Sequence, residues 1–384
     1  MGIAGNPPKR ILVSAGEASG EFYLASLVTE LRRKWPDAEF YGTAGERLRA
    51  LGVRDIIRTE DLAVVGLVEV LAHLPRIWGR FRTLIRYAKA HPPDLAILTD
   101  SPDFNFRVAG QMKKLGVPVI YLVAPQVWAW RQGRVKTMKK IIDRLLCIFP
   151  FEEAWFHKRG VAVHYIGHPL ANRVKPALTR EEFFRKHNLP PDRPLVAVLP
   201  GSRKSESMRH LPELIRAAEL LSRKRKLSFL LPASPTTGRD FFAAALKRSQ
   251  IQAIDGEAWD TIAHSDVALA ASGTVTMEAA ILGAPMVTFY RVTPVSWAIG
   301  KRLVKVPFFS MVNLIAEERI VPELMQDEMT GERLAAEAGM LLDNADEQAK
   351  MKKALAVVTA RLKTADDPIV TAAKIIHDFW EGRN

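Results

Sequence analysis

The chain has 384 residues, more than a single hydrophobic core usually organises, so two domains are expected. Its composition, 48% hydrophobic and 25% charged, excludes a disordered chain, and its lone cysteine, Cys147, excludes an intramolecular disulfide framework and suits a reducing compartment. An excess of 55 basic over 42 acidic residues gives +13 and favours an anionic partner: nucleic acid, a phosphorylated metabolite or an acidic lipid surface.

The first ten residues, MGIAGNPPKR, hold no apolar run ahead of a small-residue cleavage site, and no stretch of 18 uninterrupted apolar residues follows. Neither export nor a membrane span is therefore expected. From Arg10 onward short β-branched runs alternate with longer amphipathic ones: ILVSAG, a helical pattern to Trp35, EFYGTAG, LAILTD, VPVIYLVAP, RLLCIFP and AVHYIG. The alternation restarts at LVAVLPG (195–201) and continues through LSFLLPAS, IQAID, VALAASG and PMVTFY. Strand, helix, strand in this rhythm predicts an α/β protein built of two Rossmann-like halves, each a parallel sheet covered on both faces. Between them HPLANRVKPALTREEFFRKHNLPPDRP, rich in proline and charge, reads as the connecting segment, which puts the domains at 1–170 and 171–384.

Ligands of open parallel sheets gather beyond the carboxyl ends of the strands, and four loops there are chemically unusual. After the first strand comes SAGEASGE, residues 14–21, where Gly16 and Gly20 permit a tight turn and Glu17 and Ser19 flank a helix start. This suits either a sugar-binding loop or a plain turn capped by Ser19; the spacing is not the GxGxxG of a dinucleotide site, and Glu17 would repel a pyrophosphate. At the end of LAILTD, Asp100 is placed to take a proton from a substrate hydroxyl, while Asp103 or Ser101 could instead cap the next helix. The turn Gly201-Ser202-Arg203 offers backbone donors, a helix dipole and a forked guanidinium, the best phosphate site in the chain, without the GxxxxGK[ST] of a nucleotide hydrolase. Ser272-Gly273-Thr274 repeats the pattern: Ser272 and Thr274 could cap while Glu278, one turn on, accepts from ribose hydroxyls or is merely solvated.

In residues 62–78, LAVVGLVEVLAHLPRIW, Val64, Leu67, Val68, Leu71, Leu74 and Trp78 keep helical spacing, Val65, Val70 and Ile77 widen the apolar stripe beyond one face, and Arg76, Arg80, Arg82 and Arg86 trail. Burial in the core and insertion into an anionic bilayer surface both fit. The nine histidines are scattered, His164 and His168 being closest, so no metal site is indicated.

Ten blocks in one order resemble the lipid-A-disaccharide synthase family of glycosyltransferases: the GEASGE turn, LAVVGLVEVL, TDSPDFNF, PQVWAWRQGRVKTM, FPFEEAWF, YIGHPL, LPGSRKSE, ASGTVTMEAA, PMVTFYR and MVNLIAEERIVPEL. The resemblance implies a glycosyltransferase-B fold, two Rossmann-like domains facing a cleft with the last helix returning to the first domain. It implies inverting transfer of diacylglucosamine from UDP-2,3-diacylglucosamine to the 6-hydroxyl of 2,3-diacylglucosamine 1-phosphate, a β-1,6 linkage, with no cofactor and no metal. Asp100 falls at the position of the base. Gly201, Ser202, Arg203, Ser272, Gly273, Thr274, Glu278 and Asn313 fall where the family holds the donor nucleotide, and Gly16, Glu17, Ser19 and Gly20 on the acceptor side. Glu21 departs from the aspartate more frequent there.

Acylated substrates must be met at a bilayer, which turns the reading of 62–78 towards membrane contact and places the protein peripherally on the cytoplasmic face of the inner membrane. Residues 296–309 mix aromatics and cations in the same way, with burial an equal alternative; Trp128 and Trp130 could line an acceptor site or pack beneath it. A UDP-sugar epimerase or a soluble-acceptor glycosyltransferase on the same fold is the rival. Nucleic acid is not expected, because the basic residues are spread along the chain rather than gathered among aromatics.

Overall fold

The computed structural model describes residues 6–61, 67–304 and 306–383, without the side chains of residues 18, 67–74, 295, 299 and 302. The chain divides into two compact units, Met1–Pro169 with Thr364–Asn384, and Leu170–Lys363. In the first, seven parallel strands are described: β1 (Arg10–Ala15), β2 (Glu39–Ala44), β3 (Arg54–Arg58), β4 (Leu95–Thr99), β5 (Val119–Leu122), β6 (Arg144–Cys147) and β7 (Val163–Tyr165). Their spatial order is β3-β2-β1-β4-β5-β6-β7. Strands β1, β4 and β5 are apolar runs buried on both faces, as helix-covered parallel strands must be.

The C-terminal helix Pro368–Glu381 belongs to this unit and lies against the helix Ala18–Lys34. Trp35 stacks on His377 with ring centroids 5.8 Å apart, and the Trp380 Nε1–H donates to the carbonyl of Asn6. Arg144 at the start of β6 lies 4.8 Å from the ring centroid of Phe379.

The second unit repeats the plan with β8 (Leu195–Leu199), β9 (Ser228–Ala233), β10 (Ile251–Asp255), β11 (Val267–Ala271), β12 (Met286–Tyr290) and β13 (Glu323–Met325), all parallel, in the order β10-β9-β8-β11-β12-β13. Periodicity overlooks β3 and β13. RDIIR is mostly charged and half-exposed and ELM has three residues; both are edge strands, where little apolar patterning is required.

The segment read as a connection is a folded part of the second unit. Thr179 and Glu182 form a reciprocal capping box that starts the helix Arg180–Lys186, and Asp260 accepts the backbone N–H groups of Ala177 and Leu178. Phe183 and Phe184 then enter a buried cluster with Leu189, Leu195, Leu230 and Ile254. Phe183→Ala should lower the stability of this unit by about 3–5 kcal/mol, the usual cost of emptying a buried phenylalanine site. Denaturant titration by fluorescence measures it, and a change under about 1 kcal/mol would show the segment to be a mere tether.

Candidate functional site

In both sheets strand order reverses beside the first strand, between β1 and β4 and between β8 and β11, and such switch points are where α/β sheets bind ligands. Each of the four unusual turns follows one of these strands. Ala15 at the end of β1 pairs in register with Thr99 at the end of β4, so the turns carrying Gly16 and Asp100 are neighbours.

The Asp100 carboxylate crosses to the β1 turn. Its Oδ1 accepts the N–H of Gly16 at 2.6 Å and its Oδ2 the N–H of Glu17 at 3.1 Å, and the Ser101 hydroxyl also bonds it. Burial nevertheless pushes its pKa up to about 8, helped by the negative charge of Glu17 and opposed by these donors. The backbone beneath is strained, with φ of +49° at Asp100 and +36° at Ser101. Two buried side chains hold it there. The Tyr121 hydroxyl donates to the Asp100 carbonyl at 2.6 Å, and Asn105 Nδ2 donates to the carbonyls of Thr99 at 2.7 Å and Asp100 at 3.1 Å. Asn105 Oδ1 accepts the Ser14 hydroxyl at 2.7 Å, tying β1 to the same knot.

The turn from Ala15 to Ala18 is tight, as expected, and the geometry fixes what the residues around it do. Gly16 and Gly20 have no left-handed backbone; they leave space, since a Cβ on Gly20 would lie 1.7 Å from Asp100 Oδ2 and one on Gly16 2.1 Å from Ser101 Oγ. Neither Ser19 nor Ser101 caps its helix: Glu17 and Ser101 stand at the cap positions without side-chain cap bonds. Asp103 is not a cap either but an exposed carboxylate paired with Arg131 and Arg134. Glu21 is buried and accepts the Leu48 N–H, so it braces the neighbouring helix.

In the second unit Gly201 has φ +111°, and a Cβ there would lie 2.7 Å from the Glu206 carboxyl carbon, so conformation and space both call for glycine. Ser202 and Arg203 are exposed, and the helix Lys204–Ser222 begins after Arg203, which makes no side-chain cap bond. The turn is fixed from below by buried His210, whose Nδ1–H donates to the Pro200 carbonyl at 2.8 Å while Nε2 accepts the Arg291 N–H at 3.1 Å. Beside it, exposed Gly273 caps the helix Thr274–Ile281. Thr274 is its first helical residue rather than a cap, and the Ser272 hydroxyl donates to the Phe309 carbonyl at 3.2 Å. Glu278 is largely enclosed, bonded by Trp259, and burial raises its pKa, so it is not merely solvated.

Asn313 lies beneath the surface of the second unit. It is fully buried and its amide is used within the unit: Nδ2 donates to Val321 and Glu323, and Oδ1 accepts the N–H groups of Ile320 and Val321. Glu323 in turn accepts the N–H groups of Phe309 and Ser310, so Asn313 secures the segment that meets Ser272.

Of the apolar segment, Val64 lies outside the described residues, as do the side chains of Val68, Leu71 and Leu74; Ile77 is half-buried and Trp78 is 42% exposed. Trp128 is buried, its Nε1–H on Glu152, whereas Trp130 is exposed. Sequence patterning does not single out Asn105, Tyr121 or His210, and only TDSPDFN, with an asparagine in the first turns of a helix, offers a signal for one of them. Among the described residues no group of three or more His, Cys, Asp or Glu could hold a metal ion, and no helix is long and apolar enough to cross a membrane.

Solved structures with this architecture include a UDP-GlcNAc 2-epimerase from Neisseria meningitidis bound to UDP-GlcNAc (TM-score 0.66, 13% identity, 98% of this chain and 100% of that one) and the calicheamicin glycosyltransferase CalG4 (TM-score 0.60, 15% identity, 98% of each). At such identity they establish the glycosyltransferase-B type of fold alone. Residues 11–370 match the family model described as lipid-A-disaccharide synthetase. Proteins named lipid-A-disaccharide synthase from Solibacter usitatus (58% identical, 97% of this chain and 98% of that one) and Geobacter metallireducens (43% identical, 94% of each) are similar along nearly their whole length. The chain therefore belongs to the lipid-A-disaccharide synthase family, glycosyltransferases of lipid A biosynthesis.

Proposed function

We propose that the enzyme joins UDP-2,3-diacylglucosamine to 2,3-diacylglucosamine 1-phosphate with inversion, giving the β-1,6 disaccharide 1-phosphate and UDP. The observation that carries this reading is the Asp100 carboxyl at the switch point, with a raised pKa and held by the Gly16 and Glu17 N–H groups. A base that ionises near working pH is matched to removing a proton from a sugar hydroxyl. The acceptor 6-oxygen attacks the anomeric carbon, its proton passes to Asp100, and the bond to the β-phosphate breaks with its electrons leaving on UDP. Gly201, Ser202, Arg203, Ser272, Gly273 and Thr274 meet that charge with two helix N-termini and a guanidinium. Glu278 serves the ribose, Asn313 acts from behind, and Gly16, Glu17, Ser19 and Gly20 border the acceptor.

Exposed Trp78, with Arg82 and Arg107 within 5.8 Å of its ring centroid, suits the headgroup layer of a membrane, which supports peripheral action on the cytoplasmic face of the inner membrane.

With both substrates in detergent, Asp100→Ala should lose about 10²–10⁴-fold in disaccharide formation while still binding UDP. A wild type that binds UDP but forms no disaccharide would instead favour a soluble acceptor. Because the carboxylate is the active form, kcat/KM should rise with pH to a plateau above about 8, and Glu17→Gln, which removes a like charge, should move that limb to lower pH. A flat profile from pH 6 to 9 would deny Asp100 the role. Gly20→Ala, whose methyl meets the Asp100 carboxylate, should cut kcat by about 10²-fold with UDP affinity intact; a normal kcat would show that the carboxylate need not occupy its observed position.

A further inference from the structure

One cationic cluster beside the Asp100 turn is not used by the reading above. Arg131 and Arg134 lie beyond β5, the neighbour of β4, and reach Asp103, three residues after Asp100 on the helix Pro102–Lys114. Arg131 Nη1 lies 3.3 Å from both Asp103 oxygens, and Arg134 Nη2 bonds Oδ1. Both guanidiniums are oriented by aromatic faces, Arg131 4.1 Å from the ring centroid of Trp130 and Arg134 5.9 Å from that of Phe106. Two guanidiniums facing one carboxylate leave a net positive charge, and with the Arg131 side chain 39% and the Arg134 side chain 25% exposed an incoming anion can reach them. Ion pairs this exposed contribute little to stability, which leaves the arrangement without a structural purpose of matching cost. Strand β5 also ends in strain, with β-branched Val123 at φ +62°, and strain of this kind gathers at functional sites.

We propose that Arg131 and Arg134 are the seat of the phosphate monoester on the acceptor sugar, with Asp103 as the carboxylate that a phosphate dianion displaces. The inference rests on the acceptor reading above and adds the residues that select its phosphate. Paired planar forks suit phosphate oxygens, and the seat's place on the β4 and β5 turns puts an acceptor held there at the switch point that carries Asp100.

The test uses full-length protein in detergent micelles, with diacylglucosamine 1-phosphate and the same lipid lacking phosphate as acceptors. Arg131→Gln and Arg134→Gln should raise KM for the phosphorylated lipid about 10–100-fold, the factor expected for a lost charge-assisted hydrogen bond, leave UDP affinity unchanged, and lose that penalty with the unphosphorylated lipid. Asp103→Asn should act in the opposite direction, lowering KM for the phosphorylated lipid severalfold, whereas a purely structural triad would be harmed by all three changes and equally with both lipids. Equal losses with both lipids, or an unchanged KM in the arginine variants, overturns the seat. Titration of each lipid without donor reads binding apart from turnover. Arginine-dependent preference for the phosphorylated lipid in a wild type that makes no disaccharide would retain the seat and overturn the reaction.

Discussion

A carboxylate withdrawn from water must find donors, and the site of the first unit is arranged around meeting that demand for Asp100. The Gly16 and Glu17 N–H groups supply two donors and the Ser101 hydroxyl another, yet burial still dominates and holds the acid near neutrality. Much else follows from that single contact. Positions 16 and 20 are glycine because side chains there would occupy the space of Ser101 and of the carboxylate, and the strained Asp100–Ser101 turn persists because Asn105 and Tyr121 grip its carbonyls from the buried side.

The second unit solves a complementary problem with the same strand order. Its switch point carries two turns with exposed Ser202, Arg203, Gly273 and Thr274 rather than a buried acid. Buried polar residues fix those turns: His210 locks the Pro200 carbonyl to the Arg291 N–H, and Asn313 with Glu323 secures the Phe309 segment that Ser272 touches. Each of these groups is satisfied, as low-dielectric networks require. Asn313 thus positions the Phe309 segment from within the unit.

The epimerase and glycosyltransferase structures show that this architecture does not choose its chemistry. The groups mounted on it here include a raised carboxyl at one switch point and guanidiniums beside it.

The sequence by itself determined the alternation of strands and helices, the division into two Rossmann-like halves and the four turns beyond the carboxyl ends of the strands. Those features are local: doubly buried parallel strands must be continuous apolar runs, and strand-to-helix turns must carry small and hydroxyl residues. Tertiary structure decided what is non-local. That Gly20 makes room for Asp100, that Asn105 bonds a serine 91 positions away, and that Asp103 faces two arginines rather than a helix end depend on strands brought together by the sheet order. So does the folding of residues 177–189 onto the second sheet, because a charged and proline-rich segment reveals its Phe183 and Phe184 anchors only when a hydrophobic surface is there to receive them.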